Sequence, residues 1–202
     1  FASAPTKQEG AGVVFDQANE TFTARYNHET IALAFAITEE AIEDNLYDRL
    51  AARYTRALAR SMANTKQVKA ANVLNNAQNT AFTGGDGKTL INSAHPLATG
   101  GTFSNVLATA ADLNETSLEQ SLIDIQAFVD ERGLKIASQG VKMIIPKELQ
   151  FTAERLMKSP QRTATADNDI NAIASMGMVP QGYRVNNFLT DTDAFFLLTD
   201  VP

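Results

Sequence analysis

The sequence contains no cysteine and only two histidines among its 202 residues. Without cysteine the chain can form no disulfide, thiolate nucleophile, zinc–thiolate site or iron–sulfur cluster. With two histidines, most imidazole-based catalysis and metal binding is also hard to build. No apolar run approaches the roughly 20 residues that a membrane-spanning helix needs. These absences remove membrane-spanning helices and much enzyme chemistry from consideration, and they predict a protein without a cofactor.

The charge balance is acidic, with 17 Lys and Arg residues against 23 Asp and Glu residues, a net charge of −6. This balance argues against binding nucleic acid through the whole surface, and leaves a local basic stripe open. A hydrophobic content of 44% with a charged content of 20% is typical of an ordered protein that folds in water. The length predicts one domain or a split one, able to bury a core.

The two ends of the sequence indicate a fragment or a processed product. The chain begins at Phe1 without a Met or a signal-peptide pattern. It stops at Pro202, shortly after an apolar, strand-like run at residues 194–198.

The N-terminal segment predicts a projecting β-hairpin. Residues 1–12 have no periodicity and indicate a loop, whereas residues 13–15 and 21–26 are strand-like runs that flank a turn-prone stretch at residues 16–19. Residues 31–37 again alternate with a period of two. Because a lone two-stranded ribbon is marginal in water, its aromatic face should pack either on the core of this chain or on another molecule.

A long helix is predicted over residues 39–78, which contain no Gly or Pro. Thr38 is a suitable N-cap, and acidic residues precede basic ones along the helix, as the helix dipole favours. A continuous helix would be about 60 Å long, against a diameter of about 40–45 Å for a compact chain of this length. The alternative is a break at Asn64-Thr65. A continuous rod favours an assembly protein over a monomeric enzyme. The apolar positions recur four residues apart, at Ile42, Leu46, Leu50, Tyr54, Leu58 and Met62.

Four arginines, Arg49, Arg53, Arg56 and Arg60, lie on one face of this helix at spacings of four, three and four residues. They form either a solvated face paired with neighbouring acidic residues, an inter-subunit salt-bridge strip, or a surface that faces a packaged polyanion.

The Gly-Lys-Thr at residues 87–89 suggests a phosphate-binding loop, but the spacing excludes one. That loop needs a glycine five residues before Gly87, where this chain has Phe82. A turn between the long helix and a short strand at residues 90–92 explains the glycines better.

Two side-chain groups leave an enzyme as the alternative class. Ser93 and His95 could serve a hydrolase, but no Gly-x-Ser-x-Gly motif is present, and a hydrogen-bonded loop histidine is the better interpretation. Asp167 and Asp169 resemble the start of a calcium loop, but Ala172 replaces the required glycine, so a helix N-terminus is predicted there. A small-molecule or adhesin-like binding module is a third class.

The C-terminal part predicts an α+β arrangement. Thr116 and Glu119 fit a capping box that opens an amphipathic helix, and Gly133 fits its C-cap. A buried strand at residues 141–145 precedes a second helix that opens at Pro146.

Three more elements are predicted beyond this second helix. They are a short helix at residues 170–176 and two strands, at residues 183–185 and 194–198, paired across a turn at residues 190–193. Together the elements give a mixed sheet flanked by helices.

Four separated segments, in order, resemble tailed-bacteriophage major capsid proteins of the Mu-like head-subunit group. The resemblance implies the Hong-Kong-97-type capsid fold, an α+β fold with an extended β-hairpin loop at residues 1–37, a peripheral domain with a spine helix at 38–109 and an axial domain at 110–202. The segments that carry it are residues 90–105, 117–133, 144–159 and 167–173.

The resemblance implies a structural, non-enzymatic subunit that assembles with itself. Axial domains would join into pentamers and hexamers of an icosahedral shell, and the extended loop would lie over a neighbouring capsomer through Val13, Phe15, Phe22 and Tyr26. The shell would form in the bacterial cytoplasm, become part of the virion or prophage particle and enclose DNA while binding it weakly. Further implied partners are a scaffold, a protease and a portal, with no membrane.

The sequence departs from the family pattern at both ends. The N-terminal arm before the extended loop and the peripheral-domain strands that return after the axial domain are absent, so the chain is expected to be incomplete as a capsid subunit. No motif fixes a Lys–Asn cross-link.

Overall fold

The computed structural model describes residues 2–17, 21–44, 48–162 and 169–201, with side chains of the long helix described from residue 51. These residues form two compact units. The sheet unit comprises Phe1–Arg25 and Asn76–Pro202, and the helical unit comprises Tyr26–Asn75. The chain is α+β, as predicted.

The helical unit is built on helices α1 (Glu39–Glu43) and α2 (Asp48–Asn75). Thr38 occupies the N-cap of α1 as predicted, although its side chain makes no capping hydrogen bond. Helix α2 has 28 residues and a length of about 42 Å. The prediction of one continuous helix over residues 39–78, about 60 Å long, is therefore wrong: α1 ends at Glu43 with Asp44 as its C-cap, and α2 begins at Asp48 and ends three residues before Gln78. Residues 45–47, and with them Leu46, lie outside the described residues.

Helix α2 runs unbroken through Asn64-Thr65, so the alternative of two helices split at this point is wrong. The hydroxyl of Thr65 donates a hydrogen bond to the carbonyl of Ser61 at 3.1 Å. This bond within the helix satisfies the group that would otherwise compete with the helical backbone.

The structure assigns no strand to residues 2–17 or 21–38, and the predicted strands at residues 13–15, 21–26 and 31–37 are wrong for these described residues. The absence of strands in this segment has a physical reason. A two-stranded ribbon alone is marginal, and the described residues supply no third strand against which it could pair.

The sheet unit contains two sheets. The smaller pairs β1 (His95–Pro96) with β2 (Thr102–Phe103). The larger has the order β4-β3-β5, with β3 (Gly140–Ile145) between β4 (Tyr183–Val185) and β5 (Phe196–Thr199).

The larger sheet is mixed, as predicted, but its pairing differs from the prediction. Strand β3 pairs parallel with β4 and antiparallel with β5, so β4 and β5 do not pair with each other across residues 190–193. The apolar β3 takes the central position because Met143 and Ile145 are fully buried there. The short strand predicted at residues 90–92 is not assigned either; the nearest pairing is a bridge between Thr83 and Thr89.

Helices α3 (Glu115–Gln126), α4 (Gln150–Lys158) and α5 (Ala172–Met176) flank the larger sheet, with a short 3-10 helix (Lys147–Leu149) after Pro146. Their apolar faces and β3 enclose a single core cluster. Its buried members are Leu113, Leu118, Leu122, Met143, Ile145, Ala153, Leu156, Ile173 and Val179.

Helix α3 begins and ends earlier than predicted. Asn114 is its N-cap, and Asn114 and Ser117 form the capping box in place of Thr116 and Glu119. Asn is a strong N-cap, and Leu118 in the first turns of this helix is completely buried. Gly133 is not the C-cap, because the helix ends at Gln126; this glycine has a φ of +82° in a separate tight turn.

Candidate subunit-interaction surfaces

The N-terminal segment exposes large apolar side chains. Val13, Val14 and Phe15 are 67%, 70% and 93% exposed, and Tyr26 is 90% exposed. Phe22 is half-buried. Large apolar side chains that are exposed next to one another, as at Val13, Val14 and Phe15, are typical of an interaction surface.

Asp16, the residue after Phe15, holds this segment in place. Its Oδ2 atom accepts hydrogen bonds from Arg132 Nη1 at 2.7 Å and from the amide of Ala2 at 2.6 Å. Its Oδ1 atom accepts one from the amide of Gln17 at 2.9 Å. The amide of Ala2, with that of Gln17 and the Arg132 guanidinium, holds the pKa of Asp16 below its usual value.

The N-terminal segment makes a second close approach to the rest of its unit, between the backbone of Thr23 and Gly85. A Cβ atom placed on Gly85 would lie 2.4 Å from the carbonyl oxygen of Thr23, closer than real Cβ contacts. Only glycine therefore fits between the turn and the backbone of Thr23. Sequence reasoning identified neither Arg132 nor Gly85, because each acts on a residue far away in the chain.

The glycine-rich stretch forms a turn and not a phosphate loop, as predicted. The amide of Gly84 donates to the carbonyl of Lys88 at 2.7 Å, and Thr83 and Thr89 form an antiparallel bridge. The carboxylate of Asp86 lies inside this turn and accepts a hydrogen bond from the amide of Lys88 at 3.0 Å.

His95 is hydrogen-bonded, as predicted, and its partner is Asp86. The Nδ1 atom of His95 lies 2.6 Å from Oδ2 of Asp86. Its Nε2 atom is buried without a hydrogen-bond partner among the described residues. Ser93 is exposed, and within those same ranges no hydrogen bond joins it to His95. The structure thus pairs His95 with a turn carboxylate and gives it no serine nucleophile.

The Asp86–His95 pair gives a testable pH dependence. Burial alone raises the pKa of Asp86, but the hydrogen bonds from His95 and from the Lys88 amide outweigh it, so this pKa lies below its usual value. The ionised carboxylate therefore stabilises the fold above the unfolded-state pKa of about 3.9, and this stabilisation is lost as the pH falls through the lower folded-state pKa. We expect Asp86→Asn to be less stable than the wild type near pH 5 and to approach it near pH 3, as measured by urea unfolding.

The exposed Glu131 provides the control for this measurement. Glu131→Gln should track the wild type at both pH values. A deficit of Asp86→Asn that is equal at both pH values would refute the link between Asp86 ionisation and stability.

Helix α2 presents a basic surface. It carries six basic residues and one acidic residue, a net charge of +5 in a chain whose total is −6. Arg53, Arg56 and Arg60 are exposed, whereas the side chain of Arg49 lies outside the described residues, as does that of Leu50.

A second face of α2 bears an apolar groove of about 360 Å³. Residues 33–36 form one wall and Tyr54, Ala57 and Leu58 contribute to the other. The rings of Phe35 and Tyr54 meet edge to face with centroids 6.2 Å apart. Part of the alternating segment at residues 31–37 therefore packs on a helix of its own chain.

Of the two carboxylates that carry the metal-dependent enzyme alternative, only Asp169 lies within the described residues. Asp167 lies outside the described residues, and Asp169 is exposed, its carbonyl accepting a hydrogen bond from the amide of Arg162. Asp191 and Asp193 interact, which raises the pKa of Asp193 and lowers that of Asp191. Across the ranges that the structure describes, no group of three or more acidic or imidazole side chains is placed to hold a metal ion.

None of the helices within the described residues is both long enough and apolar enough to cross a membrane.

The described residues thus form an α+β fold with exposed apolar side chains and a basic helix surface. The family model for phage capsid protein matches residues 21–201, and the chain belongs to this family. The predicted resemblance to phage major capsid proteins is thereby confirmed at the level of the family, which is a structural one. No curated protein and no solved structure matches the chain.

Proposed function

We propose that this chain is a major capsid subunit that assembles with copies of itself into an icosahedral shell around phage or prophage DNA. The match to the phage capsid family over residues 21–201 carries the proposal. The almost completely exposed Phe15 supports it, since a monomer gains nothing from holding a phenyl ring in water.

The fold proposed for the assembled subunit is of the Hong-Kong-97 type, in the Mu-like group. Residues 1–37 would be the extended loop, residues 38–109 the peripheral domain and residues 110–202 the axial domain. Helix α2 supports the assignment of the spine helix, and the mixed sheet flanked by α3, α4 and α5 supports that of the axial domain.

The extended loop would bind a neighbouring subunit through Val13, Phe15, Phe22 and Tyr26. Three of these four side chains are largely exposed in the isolated chain. Axial domains would join subunits into pentamers and hexamers. Each contact can be weak, because every subunit makes several of them in a closed shell.

The row formed by Arg49, Arg53, Arg56 and Arg60 would bind acidic side chains of a neighbouring subunit. Exposed ion pairs contribute little individually and are screened by salt.

We expect the triple change of Arg53, Arg56 and Arg60 to Gln to slow assembly about 10-fold at low salt, because each lost exposed pair weakens the contact by up to about 1 kcal/mol. Glutamine is a good helix former, so the helix itself should persist. Light scattering at two salt concentrations measures the effect, which should shrink at the higher one. Lys66→Gln, on another face of α2, is the control, and an equal effect of Lys66→Gln would show that the row has no special role.

Further partners are proposed on the same basis. The net charge of −6 suits a shell that encloses DNA and binds it weakly. A scaffold, a protease and a portal would assist assembly in the bacterial cytoplasm, and the finished subunit would reside in the virion. A steep salt-dependent affinity of the isolated protein for DNA would count against weak DNA binding.

Sedimentation velocity tests the proposed self-assembly. Raising the protein concentration should produce pentamers, hexamers or larger particles in addition to the monomer. A single monomer boundary at every concentration and salt condition would contradict it.

A further inference from the structure

The exposed apolar residues Val13, Val14 and Phe15 directly precede a carboxylate that accepts several hydrogen bonds. Asp16 follows Phe15 and accepts three hydrogen bonds, of which that from Arg132 comes from 116 residues away. A second amino group of the same guanidinium, Nη2, donates to the carbonyl of Gln17 at 3.2 Å. Arg132 therefore binds both the side chain of Asp16 and the backbone of Gln17.

Arg132 projects from a hydrogen-bonded tight turn after α3. The Oδ1 atom of Asp130 accepts hydrogen bonds from the amides of Arg132 at 2.9 Å and Leu134 at 2.8 Å. Val129 and Lys135 form an antiparallel bridge across the base of the turn. The turn is therefore fixed independently of the N-terminal segment, and it can serve as an anchor for it.

The ion pair is placed to orient the segment and contributes little to the core. The side chains of Arg132 and Asp16 are 21% and 38% exposed, and neither belongs to the buried cluster. A partly exposed pair adds little to the stability of a fold. Holding a binding segment in one conformation, however, reduces the entropy that is lost when the segment docks.

We propose that Arg132 is a positioning residue for assembly, which through Asp16 and Gln17 holds Val13 and Phe15 in the conformation that binds a neighbouring subunit. This inference rests on the proposed function. It adds that an ion pair within one subunit controls how strongly that subunit binds its neighbour.

A double-mutant cycle on the full chain tests the proposal. Arg132→Ala and Asp16→Asn should each slow assembly about 10-fold, and the double variant should be no slower than either, because both changes release the same segment. Arg132→Lys should recover part of the rate, since a lysine keeps the charge but not the second hydrogen bond. The exposed Arg155 supplies the matched control, and Arg155→Ala should assemble like the wild type.

Two further readouts separate positioning from a general loss of structure. The melting temperature of each single variant should stay within about 2 °C of the wild type. Amide hydrogen exchange at residues 2–17 of the unassembled subunit should accelerate in both single variants and remain unchanged in Arg155→Ala.

The outcomes distinguish this proposal from the proposed function. If the wild type never assembles, the proposed function fails, and unchanged exchange at residues 2–17 would overturn the positioning role separately. If the wild type assembles and Arg132→Ala assembles at the same rate, only the positioning role is overturned. Additive effects in the double variant, or a fall in melting temperature parallel to the assembly defect, would also overturn it.

Discussion

Replacing both Val13 and Phe15 with serine should prevent shell formation while the subunit remains folded. The two side chains are 67% and 93% exposed, so their loss removes no core contact. Burying a valine or phenylalanine at an interface is worth about 2 kcal/mol, so the loss of both contacts, about 4 kcal/mol per subunit, raises the concentration needed for assembly roughly 1,000-fold. Light scattering against protein concentration measures this threshold, and circular dichroism verifies the fold.

Phe82 offers a matched control for this experiment. It is 60% exposed and lies in the turns that follow α2, outside residues 1–37. Phe82→Ser should leave the assembly threshold near that of the wild type. A double serine variant that assembles at the wild-type threshold would show that the extended loop does not bind through these residues.

The second large effect is expected in the core of the sheet unit. Leu118 on α3 is completely buried in the cluster that includes Met143 of β3. Leu118→Ala removes its buried methyl groups and leaves a cavity, which lowers the free energy of unfolding by about 3 kcal/mol. Urea unfolding of the unassembled subunit measures the change.

The control lies on the same helix. Ile123 is 60% exposed, and Ile123→Ala should change the free energy of unfolding by no more than about 0.5 kcal/mol. Equal losses at the two positions would contradict the placement of α3, with Leu118 facing the sheet and Ile123 facing away.

Periodicity in the sequence is sufficient to predict the elements that bury one face. Strand β3 and helix α4 follow from local patterns of apolar residues and from Pro146, and both are present close to their predicted positions, whereas the helix predicted over residues 39–78 is divided into α1 and α2. Such patterns succeed because a helix or strand with one apolar face has few other ways to remove that face from water.

Contacts between distant parts of the chain could not be predicted in the same way. Nothing local in Tyr183–Val185 or Phe196–Thr199 indicates that both pair with β3 and not with each other. The partnership of Asp16 with Arg132 spans 116 residues, and an isolated Asp and an isolated Arg carry no signal of it.

The N-terminal segment shows a different limit. Its alternation of apolar and polar residues predicted a hairpin, yet the described residues there form no strand. Period-two alternation indicates which side chains form an apolar face, but it does not indicate whether the surface that covers this face belongs to the same chain. In a protein of the phage capsid family, a neighbouring subunit can supply that surface.

Electron microscopy of the purified protein, over a range of concentration and salt, tests the central claim most directly. The account predicts pentamers, hexamers or closed shells, with shells absent in the Val13 and Phe15 double serine variant. Monodisperse monomers under all conditions would contradict it.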